Sequence, residues 1–265
     1  MTAKIRALPL IAISGTSLVV GCGGRGSSCG SYGSYGSYGS SGGCVAQSLD
    51  PAGVYEGFIS NAATQQGVPV VMIIAENGDG RMASQDGSYY HVNIGAVGNN
   101  VTGTFAGFSQ AGTLPNGSHS SSGAVSGFIV PNSLSATLTD ATHIQQSLVL
   151  NFDNVYHMAS SLVTLAGNWT FAANGFTLTA TIQSDGAFTA TDSNSCTYSG
   201  SFGLIDPNFN AYSETHVRIC NGISDVFAGL ATFIPAAGSA PTGAPTIIRL
   251  LTDDNSSEYL VADLQ

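Results

Sequence analysis

Lysine is almost missing from this chain of 265 residues; Lys4 is the only one. Charge of either sign is sparse, at 8% of residues, and it is lopsided, with 16 acidic residues against 6 basic ones. Nucleic-acid binding needs clustered cations to neutralise phosphates, and a basic patch is what draws a protein onto anionic lipid. Neither exists here, so both partner classes are excluded. Signatures of chemistry are missing too. There is no His-Glu-x-x-His and no phosphate loop. Metal sites are marked by CxxC pairs or paired histidines, and the chain has neither. Its histidines, His91, His119, His143, His157 and His216, stand apart, and Asp253-Asp254 falls in a turn signal where solvated charge is ordinary. The expectation is a protein that is not an enzyme and carries no cofactor or metal. After the first 21 residues no apolar run approaches the roughly 20 residues a membrane helix wants.

Those first residues carry their own pattern. Lys4 and Arg6 form a basic start, and Leu8 to Val20 a short apolar stretch interrupted by Pro9, Ser14 and Gly15. It is too short and too broken to remain as a span and reads as an export signal. The segment Leu18-Val19-Val20-Gly21-Cys22 resembles the lipobox of bacterial lipoproteins. That resemblance implies cleavage before Cys22, a diacylglyceryl thioether on its sulfur and usually an acylated amino group; several acyl chains together hold stably to a bilayer. Gly23 rather than Asp after the cysteine implies, by the same resemblance, delivery to the outer membrane. An ordinary secretory signal containing a cysteine is the alternative. Cleavage leaves four arginines against sixteen carboxylates, a formal charge of −12.

Five cysteines less the lipidated one leave Cys29, Cys44, Cys196 and Cys220, an even number for an oxidising compartment. Cys196 and Cys220 flank the turn signal Asp206-Pro207-Asn208. A hairpin centred on Asn208 sets them directly opposite, close enough for a disulfide. Cys29–Cys44 would close a loop around the segment Ser31 to Ser40, where Tyr32, Tyr35 and Tyr38 recur among Gly and Ser. Residues 22–49 read as a flexible tether reaching roughly 30 Å.

From Asp50 the pattern is β. Thr177-Leu178-Thr179-Ala180-Thr181-Ile182 alternates as a strand with one buried face does, and Ser133 to Thr139 repeats it. Turn signals recur at hairpin spacing, among them Asn77-Gly78-Asp79-Gly80, Pro131-Asn132 and Ser184-Asp185-Gly186. The two halves align: Gly53-Val54-Tyr55-Glu56-Gly57-Phe58 with Gly167-Asn168-Trp169-Thr170-Phe171, each followed by an apolar strand and an Asn/Asp-Gly turn. Turn spacing gives about eight strands per half. The expected organisation is a signal peptide (1–21), the lipidated cysteine and tether (22–49), and all-β domains over 50–160 and 161–265. Eight antiparallel strands suffice to close an up-and-down barrel; two sandwiches are the alternative. Val68 to Ala75 is apolar on both faces, so one face is expected to meet the other domain.

The Gly-x-Trp opening at Gly167 and the Gly-bearing strands resemble lipocalin-like and avidin-like barrels. Tandem barrels behind a lipidated tether resemble, in architecture, surface lipoproteins of the factor-H-binding and transferrin-binding kinds. This resemblance implies a fold and names no partner.

One strand gathers candidate binding residues. Alternation over Tyr212 to Cys220 puts Tyr212, Glu214, His216, Arg218 and Cys220 on one face. With Cys196 opposite Cys220, Tyr198 falls against Arg218, Gly200 against His216 and Phe202 against Glu214. Facing inward, this is a polar cluster in a barrel, with the bare Gly200 leaving room beside His216 for a small ligand. Facing outward, it is a charged stripe with a Tyr–Arg stack. The functional expectation is a lipid-anchored envelope protein that presents two barrels to a protein partner, as inhibitor, immunity protein or surface receptor. The alternative is a carrier of a small ligand inside a barrel.

Overall fold

A computed structural model describes residues 50–61, 66–109, 114–236, 246–255 and 258–265. The expected export signal, the expected lipidation at Cys22, the expected tether and the expected Cys29–Cys44 bond all fall outside the described residues. The chain forms two tandem eight-stranded antiparallel barrels, the first closed and the second nearly so.

The first barrel runs through β1 (Gly53–Asn61), β2 (Gly67–Ile74), β3 (Asp79–Ser84), β4 (Ser88–Val97), β5 (Asn100–Ser109), β6 (Ser120–Val130), β7 (Ser133–Asp140) and β8 (Gln145–Asp153). Each strand pairs with the next, and β1 returns to β8. A 3₁₀ turn (Asn154–His157) and one turn of helix, α1 (Leu162–Leu165), lead on. The second sheet then follows as β9 (Gly167–Ala173), β10 (Phe176–Ile182), β11 (Ala187–Asp192), β12 (Thr197–Leu204), β13 (Tyr212–Cys220), β14 (Ile223–Ile234), β15 (Ile247–Asp253) and β16 (Tyr259–Leu264). Its edge strands meet through one reciprocal pair of backbone hydrogen bonds, Thr170 to Gln265 and back, both 2.8 Å.

The strands form where apolar residues alternate with Ser and Thr. In β10 the residues Phe176, Leu178, Ala180 and Ile182 are buried, while Thr177, Thr179 and Thr181 are exposed. A period of two can bury one face only in an extended strand. Turn chemistry separates the strands. Asn77, Asp86 and Asp185 each accept a hydrogen bond from the amide two residues on, the local bond that makes Asn and Asp turn formers. At the β9–β10 and β13–β14 hairpins, Asn174-Gly175 and Asn221-Gly222 all take positive φ, as tight hairpins matched to strand twist require.

Each barrel has its own packed interior. Tyr55, Met72, Met82, Tyr90, Leu134 and Leu150 are among those filling the first, and Trp169, Phe171, Leu178, Phe188, Phe202 and Leu250 among those filling the second. A third apolar cluster lies between the barrels. The strand β2 sends Val70, Met72 and Ile74 into its own core and Val71 and Ile73 into this junction, where they pack with Ala211, Leu230 and Leu251. The two apolar faces read from Val68 to Ala75 thus serve two cores. Polar contacts frame the junction. Arg81 lies 2.9 Å from Asp253, with both side chains buried, and Arg249 donates to Glu56 at 2.8 Å. Tyr89 stacks on Tyr259 with ring centroids 5.1 Å apart, and Tyr156 on Phe209 at 4.9 Å.

Candidate functional site

The hairpin β12–β13 is centred on Asn208, with Tyr198 opposite Arg218, Gly200 opposite His216 and Phe202 opposite Glu214. Cys196 and Cys220 are joined by a disulfide with their α-carbons 4.5 Å apart. Of the face carried by β13, Tyr212, Glu214 and His216 are buried within the barrel, together with Tyr198 from β12, whereas Arg218 is half-buried. The inward reading of this face is the one the strand adopts.

Inside, His216 and Glu214 form a close pair, Nδ1 to Oε1 at 2.8 Å, with neither side chain more than 1% exposed. The His216 ring stacks on Phe227 at 4.8 Å, nearly parallel, and Tyr198 lies 5.7 Å away. His216 Nε2 and Glu214 Oε2 have no protein partner. Burial pushes the Tyr198 hydroxyl above the ordinary tyrosine range, and Asp192, which accepts its hydrogen bond at 2.8 Å, pushes it further. Burial likewise raises Tyr212, whose hydroxyl meets the Ser161 backbone. Arg218 donates to Asp225 at 2.7 Å and to Glu258. Burial opposes its charge, but these two carboxylates outweigh that and hold the guanidinium protonated.

One detail corrects the sequence reading. Gly200 does not leave room beside His216. A β-carbon built on Gly200 would fall 2.1 Å from the Thr215 carbonyl oxygen and 2.6 Å from His216 Cβ. The glycine lets two coiled strands approach, so the space it spares is already taken. The void bordered by His216, Tyr198, Phe188 and Leu250 is about 20 Å³, room for roughly one water. The guanidinium of Arg218 also lies over Phe227, 5.0 Å from the ring centroid, so its aromatic partner comes from β14.

A surface that the sequence reading passed over lies on the outside of the first barrel. Phe58 is 55% exposed, Phe128 64% and Val149 51%, and they fall in one cross-strand row. Phe58 opposes Val149, Val149 opposes Ser135, and Ser135 opposes Phe128. Beside the row is a shallow hollow of about 610 Å³, bordered by Thr102, Ser126, Thr137 and Ser147 and with no charged residue in its lining. Gly127 shapes it: a β-carbon there would lie 2.1 Å from the Ser135 carbonyl oxygen, so the strands bend closer than a side chain permits. The available signal was Phe58, Phe128 and Val149 standing at outward positions of the alternation, where the strands otherwise carry Ser and Thr.

Among the described residues no group of three His, Cys, Asp or Glu side chains is placed to hold a metal ion, and no helix is long and apolar enough to cross a membrane. No protein-family model matches the chain, and neither the curated proteins nor the solved structures compared with it contain a match.

Proposed function

We propose that this protein is a lipid-anchored, non-enzymatic lipoprotein of the bacterial cell envelope, carried to the outer membrane and presenting its barrels to a protein partner. The observation that carries this reading is the in-register row Phe58–Val149–Ser135–Phe128 on the outer wall of the first barrel. Large apolar side chains cost free energy when left in water, and grouped exposed ones mark interaction surfaces. Uncharged Ser and Thr around them supply a rim that desolvates cheaply. An inhibitor, an immunity protein and a surface receptor would each use such a wall. The carrier alternative needs an interior cavity of a few hundred Å³, and the void beside His216 is 20 Å³. The lipobox Leu18 to Cys22 supports the anchor.

The test is quantitative capture from envelope extract with the lipid-free body spanning residues 50–265. A saturable partner is expected for the native body and a loss of at least tenfold in affinity for the Phe58→Ser/Phe128→Ser variant, with its thermal melt unchanged. Equal capture by the two would overturn the proposed surface. Anchoring has a separate readout: Cys22→Ala is expected to abolish incorporation of labelled palmitate.

A further inference from the structure

At one end of the first barrel the chain reaches β1 through Asp50 and leaves β8 through the 3₁₀ turn. Beside these crossings is a hollow of about 350 Å³. Its lining includes Asp50 and the rings of Tyr55, Phe152, Tyr156, His157 and Phe209, the last contributed by the second barrel. The rings are held by one another. Phe152 meets Tyr55 and Tyr156 edge-on at 5.5 and 5.9 Å, and Phe209 stacks on Tyr156 at 4.9 Å. A second hollow, of about 320 Å³, shares Asp50 and is bordered by Glu76.

The charges here are one-sided. Tyr156 donates to Glu76 Oε1 at 2.6 Å, leaving the buried Glu76 Oε2 without a protein partner. Burial, then Glu76, then Asp50 push the Tyr156 hydroxyl above its ordinary range, and Asp50 borders the same hollow as the Tyr156 ring. Among the described residues there are three arginines, and each is committed elsewhere. Arg81 pairs with Asp79 and Asp253, Arg218 with Asp225 and Glu258, and Arg249 with Asp263 and Glu56. No ion pair involves Asp50 or Glu76 among the described residues.

We propose that this aromatic hollow is a binding site for a small organic cation, an ammonium carrying methyl or short alkyl groups. Aromatic faces are electron-rich and attract such a cation, while an alkylated ammonium loses less hydration than a bare one on leaving water. Asp50 and Glu76 supply the counter-charge, and Tyr156 joins them through its hydroxyl. The outer row of Phe58 and Phe128 takes no part in it, so the site stands independently of the proposed protein partner.

The same ammonium chemistry is found in free amines and in choline lipid headgroups, and the experiment separates them. The body spanning residues 50–265 is titrated by calorimetry with choline, with tetramethylammonium, and with the uncharged carbon analogue 3,3-dimethylbutanol. Saturable binding of both cations and at least tenfold weaker binding of the neutral analogue are expected. The variant Asp50→Asn/Glu76→Gln keeps the turn bond at Asp50 and an acceptor for Tyr156, so its melt should hold while choline binding falls about tenfold or more. A parallel flotation assay uses phosphatidylcholine and phosphatidylglycerol vesicles. Flotation with the choline lipid alone, lost in the variant, assigns the headgroup as the source; binding of free choline without flotation assigns a free amine. Equal binding of the neutral analogue, unchanged binding by the variant, or no saturable binding of either cation would overturn the proposal.

Discussion

In the first barrel β1 and β8 share a ladder of opposed residues from Val54–Asp153 to Asn61–Gln146, whereas in the second the edges β9 and β16 meet only where Thr170 faces Gln265. The first seam is built like any other strand pair and needs no special device. The second leaves most of two edges unpaired to each other, which is where a sheet is weakest and most prone to pair with other chains. Its compensation lies elsewhere. Strand order puts β12 and β13 opposite the seam, and there the Cys196–Cys220 bond ties the sheet. Docking supplies the rest, because Leu230 of β14 and Leu251 of β15 are buried against β2 of the closed barrel. The second barrel's short seam is thus offset by a covalent link and by docking, whereas the first closes through its own strand ladder and shares only the docking.

The sharpest way to break this arrangement is at the junction. Arg81→Ala removes the cation between Asp79 and the buried Asp253, and an uncompensated buried carboxylate costs about 3–5 kcal/mol. Chemical denaturation should show the second barrel unfolding earlier, and a single unshifted transition would refute the coupling. Next in size, Cys196→Ser/Cys220→Ser opens a link between residues 24 apart in sequence, worth about 3 kcal/mol. Differential scanning calorimetry should show a lower transition for the second barrel, with the first unmoved by mutation or by reductant.

A smaller effect is expected at the seam itself. Deleting Gln265 removes two hydrogen bonds, about 1 kcal/mol each. Hydrogen exchange should speed up in β9 and β16 and stay unchanged in β1 and β8. The smallest effect is acid sensitivity. Burial would raise the Asp79 carboxyl, but the hydrogen bond from His91 and the charge and hydrogen bond of Arg81 outweigh it and hold the group below its ordinary value. A depressed carboxyl contributes stability above its unfolded pKa and loses it as pH falls through the folded one. Junction stability should therefore decline below about pH 4, and Asp79→Asn should flatten that decline in a melt measured against pH.

Much of this was legible because it is local. A turn at Asp206-Pro207-Asn208 fixes its own centre, and the centre fixes every partner from Cys196–Cys220 inward. The alternation in Thr177 to Ile182 needs no knowledge of the rest of the chain. Closure is different in kind. Whether Thr170 reaches Gln265 depends on accumulated twist across eight strands, which no window of sequence carries. Gly200 misled because a missing β-carbon is equally compatible with a vacancy and with a close approach, and only the path of the neighbouring strand decides. Arg218 found Phe227 because β14 lies on its other side, a neighbour the hairpin register does not mention. The hollow at Asp50 was out of reach for the same reason: Phe209 and Phe152 belong to different barrels and meet only once the two are docked.

The three paired arginines have a consequence for proteolysis. Trypsin cuts only after lysine or arginine, and in the folded body its possible sites are Arg81, Arg218 and Arg249, each inside a strand and gripped by carboxylates. Between the proposed anchor at Cys22 and the first strand there is one further site, Arg25. With the anchor proposed at Cys22, a cut after Arg25 would free both barrels together, while the paired arginines withhold the sites within them.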